Sequence, residues 1–287
     1  MNKLLEDFLL ACDYRAVTDG AVKWISDWFA QNGPKSSAVI GISGGKDSTV
    51  VAALCKEALG VDRVLGVLMP NGIQPDIDVS RRVVDTLGIK AVEINIKDAY
   101  DGVTGAILGA KIIGQERQIS DATIADQQDK LKGIVLNDTS SVGPVLELSR
   151  QTQINLGPRL RMATLYAVSQ CIDGRVSNNS NLSERTVGYS TRYGDSVGDF
   201  APLANLTVSE VRIVGSLLGI PAEFVQKAPS DGLSGKTDED ALGFSYEALD
   251  TFILTGKCED EEALKKIIAK KNANAFKLKP MPEYSFR

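Results

Sequence analysis

Short apolar runs alternate with amphipathic stretches in this chain. Such runs are typical of buried strands, and apolar positions spaced three and four apart are typical of helices. The pattern predicts strands at residues 38–42, 64–69, 91–94 and about 174–178, with helices at 49–59, 76–87 and through 158–171. Strands that alternate with helices indicate parallel βαβ units. We therefore predict an α/β fold, a doubly wound parallel sheet flanked by helices that binds ligands at the carboxyl ends of its strands.

Helical patterns flank this core. Residues 3–31 predict one or two amphipathic helices, in which Trp24 and Trp28 lie one turn apart and serve core or subunit packing. Residues 100–140 are less periodic, and we interpret them as helical segments with mobile connections. We predict a single domain, residues 1–287, with N-terminal helices (1–33), a nucleotide-binding α/β core (34–195) and a helical C-terminal part with a basic tail (196–287).

Composition narrows the possible chemistry. The 287 residues include no histidine, which excludes Ser-His and Cys-His couples and imidazole metal sites. With 32 basic and 37 acidic residues the net charge is −5, which argues against general nucleic-acid binding. We see no candidate membrane span or signal peptide and expect a cytoplasmic protein. The four cysteines include no C-x-x-C pair, and we expect buried structural thiols.

A glycine-rich loop follows the first predicted strand. Its sequence, GISGGKDS from Gly41 to Ser48, is neither a Walker A nor a G-x-G-x-x-G loop, yet it suits an anion. Gly44 and Gly45 allow close backbone approach, and the following helix presents free N–H groups. Asp47 would repel a phosphate unless a cation joined them, so the loop indicates phosphate binding with Mg²⁺. The alternative is that Asp47 and Ser48 only cap the helix.

The loop resembles the pyrophosphate loop of the N-type ATP pyrophosphatases. Three later stretches narrow the resemblance: residues 155–162, residues 188–203, and residues 229–250 with the string Asp-Glu-Asp-Ala-Leu-Gly-Phe-Ser-Tyr. From about residue 15 to the tail, the chain is similar to the ammonia-dependent NAD synthetases. The resemblance implies the PP-loop (adenine nucleotide alpha-hydrolase-like) fold and a homodimer.

The resemblance also implies the reaction. A ligase of this kind converts deamido-NAD, ATP and ammonia to NAD, AMP and pyrophosphate through an acyl-adenylate. Two anions meet in the adenylation step, which explains the need for Mg²⁺ and for Lys and Arg side chains. Because the chain has no room for a fused glutaminase domain, free ammonia is the expected nitrogen source.

Site residues follow from the resemblance position by position. ATP is expected on Gly41, Ile42, Ser43, Gly44, Gly45, Lys46, Asp47 and Ser48, and on Asn179 and Ser230. The catalytic and metal-binding residues are expected to be Asp47 and Glu184. Deamido-NAD is expected on Arg159, Arg192, Asp199 and Lys277.

Several of these residues have plainer interpretations. Glu184 could only complete a capping box that begins at Asn181, and Asp199 could belong to an Asx turn. Arg159 could be solvated, and Lys277 could belong to a solvated terminus.

The chain also departs from the usual family pattern. Val208 replaces a lysine that contacts ATP, Asn178-Asn179 replaces Gly-Thr, and Phe276 replaces a histidine. Lys46 could be solvated or could contact phosphate, and we predict that it supplies the cation missing at position 208.

Two other functions stay open. One is another PP-loop chemistry, such as tRNA thiolation or a different amidation, against which the acidic pI and the missing C-x-x-C pair weigh. The other is a nucleotide-binding regulator without catalysis, against which Asp47 and Glu184 argue. Residues 196–206 and 228–240 are predicted to close over the site and exclude water, or else to be surface connections.

Overall fold

Four parallel strands form the sheet in the computed structural model, which describes residues 2–110, 146–226 and 237–286. The strands are β1 (Ser37–Gly41), β2 (Val64–Leu68), β3 (Lys90–Glu93) and β4 (Gly174–Val176). They lie in the order β3-β2-β1-β4, with Ala38 opposite Val64 and Val39 opposite Val176. The sheet therefore extends from β1 in both directions, which confirms the predicted doubly wound α/β class.

The helices include those that the sequence pattern predicts within residues 3–31, 49–59, 76–87 and 158–171. They are α1 (Lys3–Leu10), α2 (Tyr14–Asn32), α3 (Lys46–Leu59), α4 (Ile77–Leu87), α5 (Lys97–Leu108), α6 (Arg150–Cys171), α7 (Leu182–Val187), α8 (Val208–Leu217), α9 (Ala222–Val225), α10 (Asp238–Leu242), α11 (Tyr246–Thr255) and α12 (Glu261–Asn274). Short 3₁₀ turns lie at Val61–Arg63 and Ala275–Leu278. Within the described ranges, no helix has the length and hydrophobicity to cross a membrane. Most of the less periodic stretch at 100–140 lies outside the described residues.

Successive side chains of β1 point to two apolar layers. Ala38 and Ile40 are fully buried in the larger layer, which is covered by α2, α3, α4, α8 and α9. Val39 faces the opposite layer, where it belongs to one cluster with Met162 and Leu165 of α6. Because both faces of the strand are covered, its sequence is a continuous apolar run.

Aromatic side chains fix α2 against this core. Trp28 lies 5.1 Å from the Phe29 ring and 5.2 Å from the Phe200 ring, measured between centroids. Trp24, by contrast, is 44% exposed. Core packing is therefore confirmed for Trp28, while a subunit contact at Trp24 stays a prediction.

The cysteines differ from expectation in their burial. All four are free, but only Cys55 is buried. Cys12 lies between α1 and α2, and Cys171 is the last residue of α6, so both are exposed at helix ends rather than on an inward face. Cys258 is partly exposed. The prediction of buried thiols is wrong for these three residues.

A second apolar cluster joins the C-terminal helices. Its buried members are Val187, Val208, Leu242, Phe244, Tyr246, Leu249, Ala263 and Ile267. They come from α7, α8, α10, α11, α12 and the turn before α11. Through Val187 and Val208, this cluster joins the end of α7 to the start of α8.

Substitution of Gly215 tests the packing of α8 against α3. A Cβ at Gly215 would lie 2.9 Å from Cγ2 of Val50 and 3.1 Å from Cγ2 of Val225. We expect Gly215→Ala to lower the free energy of unfolding by about 1–3 kcal/mol, because the buried valines have little freedom to move. Urea denaturation would measure this loss.

The matched control is Gly20→Ala on α2, where a Cβ would meet nothing within 4 Å. We expect this variant to gain up to about 1 kcal/mol from helix propensity. A Gly215→Ala protein as stable as the Gly20→Ala protein would contradict the close approach of α8 to α3.

Candidate active site

The glycine-rich loop connects the carboxyl end of β1 to the first turn of α3. Gly44 has a φ of +76°, and a Cβ there would lie 3.1 Å from the backbone nitrogen of Ser80 on α4. Glycine is therefore required at this position. The Thr49 hydroxyl donates to the Gly45 carbonyl at 2.8 Å, and the Ser43 and Ser48 hydroxyls lie 3.2 Å apart. The loop is held in place with free helix N–H groups beside it, an arrangement that suits an anion.

Asn181 connects the two carboxylates that the sequence singled out. Its Nδ2 donates to Oδ1 of Asp47 at 3.0 Å, and its backbone N–H donates to Oε2 of Glu184 at 3.2 Å. The Asn181 side chain also accepts from the backbone of Glu184, which completes a capping box at the start of α7. Because Asn181 follows β4, the acids meet where β1 and β4 adjoin. The capping interpretation is thus confirmed, and it coexists with proximity to Asp47.

Electrostatics show how closely the two acids interact. Burial, and then the negative charge of Asp47, raise the pKa of Glu184 well above its ordinary value, although Lys46 opposes the shift. A divalent cation would remove this repulsion. Groups of three or more His, Cys, Asp or Glu side chains that could hold a metal are absent among the described residues. Two carboxylates nevertheless fit Mg²⁺, which commonly takes one or two carboxylates together with substrate phosphates.

Lys46 is the countercharge for these acids. Only 2% of its side chain is exposed, its Nζ donates to Oδ2 of Asp47 at 2.9 Å, and it lies 5.6 Å from the Tyr246 ring centroid. Burial alone would lower the pKa of Lys46, but Asp47 and Glu184 outweigh it and raise the pKa. The interpretation of Lys46 as a solvated side chain is therefore wrong. Its role as a replacement for a cation at position 208 stays a prediction, and Val208 itself is fully buried.

The Asp-Glu-Asp segment lies next to Lys46. Asp238 accepts from the hydroxyls of Tyr189 at 3.2 Å and Tyr246 at 3.4 Å. Burial raises the pKa of Asp238, while the hydrogen bond from Tyr189 and the nearby charge of Lys46 oppose this shift. This segment thus connects α10 and α11 to the residues beside Asp47, a role that the sequence alone did not reveal.

Asp250 connects three helices behind the acidic pair. Its carboxylate accepts from the Ser183 hydroxyl at 2.5 Å and from the backbone and hydroxyl of Ser209 at 2.8 and 2.7 Å. The Ser183 hydroxyl in turn accepts from the backbone N–H of Val208 at 3.0 Å. Because Ser183 precedes Glu184, these bonds fix Glu184 relative to α8. Sequence reasoning missed Asp250, whose signal was an acid among the apolar positions of α11.

Three of the expected deamido-NAD residues lie around the loop after α7. Arg159 donates to the carbonyl of Arg192 at 3.3 Å, and Lys277 donates to the carbonyls of Gly188 at 2.8 Å and Ser190 at 3.0 Å. Burial lowers the pKa of Lys277, against the attraction of Asp195. The interpretation of Lys277 as part of a solvated terminus is therefore wrong.

Arg192 lies between two aromatic rings. Its guanidinium carbon is 4.9 Å from the Tyr193 ring centroid and 5.5 Å from that of Phe276. Both rings are more than half exposed, and Tyr193 has a φ of +63°. Phe276 therefore acts on this cluster by stacking against the guanidinium.

Asp199 differs from the Asx-turn interpretation, while its expected contact with deamido-NAD stays a prediction. Its Oδ2 accepts from the backbone of Val176 at 2.7 Å and its Oδ1 from the Tyr166 hydroxyl at 3.2 Å, so its carboxylate is not held in an Asx turn. Phe200 and Leu203 are buried in the core. These two side chains fix the middle of residues 196–206 to the core. The prediction that this segment closes over the site is therefore wrong for Phe200 and Leu203. Most of 228–240 lies outside the described residues.

The remaining expected ATP residues have different outcomes. Asn179 donates to the carbonyl of Gly41 at 3.2 Å, which brings it to the start of the glycine-rich loop. Ile42 is buried in the core beneath that loop. Ser230 lies outside the described residues.

The fold and the site together define a class of protein. It is a parallel α/β nucleotide-binding protein in which a PP-loop and a pair of acids lie at the end of β1, and a basic cluster lies around the loop after α7. The profile of the NAD synthase family matches residues 17–123 and 111–283. The chain belongs to the NAD synthase family, which confirms the resemblance drawn from its motifs.

Individual relatives support the same assignment. The NH(3)-dependent NAD(+) synthetase of Pyrococcus furiosus is 36% identical over 226 residues, which cover 78% of this chain and 74% of the relative. The NH(3)-dependent NAD(+) synthetase of Finegoldia magna is 33% identical over 244 residues, which cover 84% of this chain and 85% of the relative. The expected ligase class in NAD synthesis is thereby confirmed.

Solved structures show the same likeness. The NH3-dependent NAD synthetase of Campylobacter jejuni has a TM-score of 0.66 and 26% identity, covering 96% of this chain and 100% of that one. The NMN synthetase of Francisella tularensis has a TM-score of 0.74 and 29% identity, with the same coverage.

Substitution of Asp250 tests the connection behind the acidic pair. We expect Asp250→Ala to lower the free energy of unfolding by about 2–4 kcal/mol, because buried donors of Ser183 and Ser209 lose their acceptor. Urea denaturation at neutral pH would measure the loss.

The comparison variant is Asp260→Ala, which removes an exposed cap at the start of α12. A cap of this kind contributes about 1 kcal/mol. If Asp250→Ala lost no more stability than Asp260→Ala, the proposed connection between α7, α8 and α11 would be refuted.

Proposed function

We propose that this protein catalyses the ATP-dependent amidation of deamido-NAD by ammonia, with Asp47 and Glu184 as its metal-binding acids. The observation that carries the proposal is the junction of Asp47, Asn181 and Glu184 beside the glycine-rich loop, at the adjoining ends of β1 and β4. It supplies an anion site and a cation site side by side. The Arg159, Arg192 and Lys277 cluster supplies positive charge for a second, anionic substrate.

The first step joins two anions. A carboxylate oxygen of the nicotinate group bonds to the α-phosphorus of ATP, and the bond from that phosphorus to the bridging oxygen breaks. Pyrophosphate leaves with the electron pair. The loop N–H groups and the hydroxyls of Ser43 and Ser48 bind phosphate oxygens, and Asn179 and Ser230 complete the ATP site. Arg159, Arg192, Asp199 and Lys277 hold deamido-NAD.

Mg²⁺ would be held by Asp47 and Glu184 and would supply neutralising charge for the phosphates. The chain's own contribution is to orient both acids. Lys46 donates to Asp47, and Asn181 donates to both carboxylates.

The second step forms the amide. The ammonia nitrogen bonds to the acyl carbon of the adenylate, AMP leaves with the electron pair, and the nitrogen loses a proton. With no histidine in the chain, the site depends on charge and orientation rather than on an imidazole.

We further propose that the enzyme is a cytoplasmic homodimer.

A second candidate product comes from one structural neighbour. The structure with a TM-score of 0.74 is named an NMN synthetase. An enzyme of that kind would amidate a mononucleotide, whereas deamido-NAD is a dinucleotide. The two substrates share the nicotinate group and its ribose phosphate. The cluster of Arg159, Arg192 and Lys277, here called the Arg192 cluster, therefore serves both.

One assay tests the proposal. Purified protein, Mg²⁺, ATP and an ammonium salt are incubated with deamido-NAD or with nicotinate mononucleotide, and AMP is followed together with NAD or NMN. We expect AMP and NAD in equal amounts, no product without ATP, and loss of activity with a chelator that excess Mg²⁺ restores. A higher kcat/KM for the mononucleotide would favour the second candidate, and absence of both products would refute the proposal.

Substitution of Asp47 tests the metal-binding role. We expect Asp47→Asn to lower kcat by about 100-fold or more, because the neutral amide is a poor partner for Mg²⁺. Glu184 remains near Lys46 in this variant, so the protein should still fold, as circular dichroism would show.

The matched control is Asp62→Asn, an exposed acid paired with Lys90 at 3.1 Å. We expect its kcat to equal that of wild type. Turnover by Asp47→Asn at the wild-type rate would remove Asp47 from the metal site.

A further inference from the structure

Helix α8 places Arg212 near the glycine-rich loop. The helix begins beside Glu184, because the Val208 backbone donates to the hydroxyl of Ser183 at 3.0 Å. Arg212 follows Val208 by four positions and therefore lies on the same side of α8, one turn further on.

The packing of α8 brings Arg212 close to the start of α3. Gly215 approaches Val50 so closely that a Cβ would lie 2.9 Å from the valine methyl. Arg212 and Lys46 precede these contacting residues by three and four positions respectively. Electrostatics agree: after burial and the two carboxylates, Arg212 is among the groups that act on the pKa of Lys46, and it opposes protonation.

One donor of the Arg212 guanidinium lacks an acceptor. Its Nε is buried and has no hydrogen-bond partner in the described part of the protein. A buried donor without a partner loses its hydrogen bonds to water and is destabilising, and a charged donor more so. The neighbouring acids are already engaged, Asp47 with Lys46 and Asn181, and Glu184 with the backbone of Asn181. The geometry therefore leaves a place for an anion next to Arg212.

We propose that Arg212 binds a phosphate group of ATP and is a further substrate-binding residue of this site. A guanidinium offers a planar pair of donors that matches two phosphate oxygens, and the anion-binding loop begins on the adjacent helix. This assignment rests on the proposed function, since it takes ATP as the ligand of the loop. Arg212 then stabilises the departing pyrophosphate, while Lys46 remains paired with Asp47.

Equilibrium binding of ATP with Mg²⁺, measured by calorimetry without deamido-NAD, tests the proposal. We expect Arg212→Met to raise the Kd for ATP by about 10- to 100-fold, as for the loss of hydrogen bonds to a charged group. The KM for deamido-NAD should stay within about twofold of wild type, because the Arg192 cluster is unchanged. An ATP Kd within twofold of wild type would overturn the proposal.

The matched control is Arg82→Met, a surface arginine paired with Glu223 at 2.8 Å, for which we expect unchanged ATP binding. Arg212→Lys keeps the charge and most of the stem, so it covers the case in which the methionine variant fails to fold. We expect it to weaken ATP binding by about threefold or more, since an ammonium cannot bind in the bidentate way. Unaltered binding by this variant would also count against the proposal.

Chemical rescue separates binding from a merely structural role. In Arg212→Ala, free guanidinium ion at concentrations below those that unfold the protein should restore ATP affinity. Equal ATP affinity with and without guanidinium would contradict direct contact.

The readouts also separate this inference from the proposed function. Arg212-dependent ATP binding without amide product would refute only the function, whereas amide formation with ATP binding indifferent to Arg212 would refute only the inference.

Discussion

Two carboxylates from distant parts of the chain meet at the end of β1. The neighbouring residues offset the electrostatic repulsion between them. Asp47 comes from the first turn of α3 and Glu184 from the first turn of α7. Lys46 is buried beside them, and Asn181 donates to both. A buried ammonium without its carboxylate would be strongly destabilising, so the cation and the acids require one another.

Polar groups behind the acids hold this arrangement rigid. Asp238 joins Tyr189 and Tyr246, and Asp250 joins α7, α8 and α11. These buried acids have hydrogen-bond partners, which is the condition under which a polar network stabilises a core. The position of Glu184 is thus fixed in part by Asp250, which binds the neighbouring Ser183 from behind the acidic pair. Pre-organisation of this kind reduces the reorganisation needed when charge develops during the reaction.

Local patterns explain why much of the fold could be predicted. Each strand of a doubly wound parallel sheet is covered on both faces, so it is a continuous apolar run, and the glycine-rich loop is contiguous in sequence. Residues that act through distant partners could not be found in this way. Asp250 and Asp238 gain their roles from contacts between helices that are far apart in the chain. A lysine after two glycines is usually solvated, and only the neighbouring acids explain the burial of Lys46. Phe200 and Leu203 lie in a stretch with the composition of a surface loop, yet tertiary packing places them in the core.

The pairing of β1 with β4 has a consequence for the order of folding. Ser37 lies opposite Gly174, whereas β1, β2 and β3 follow one another closely in sequence. Contacts between distant segments close large loops and form slowly, and a chain emerging from the ribosome folds its N-terminal part first. The glycine-rich loop is therefore synthesised well before the strand that leads to Glu184, and the two acids cannot meet until β4 has paired with β1.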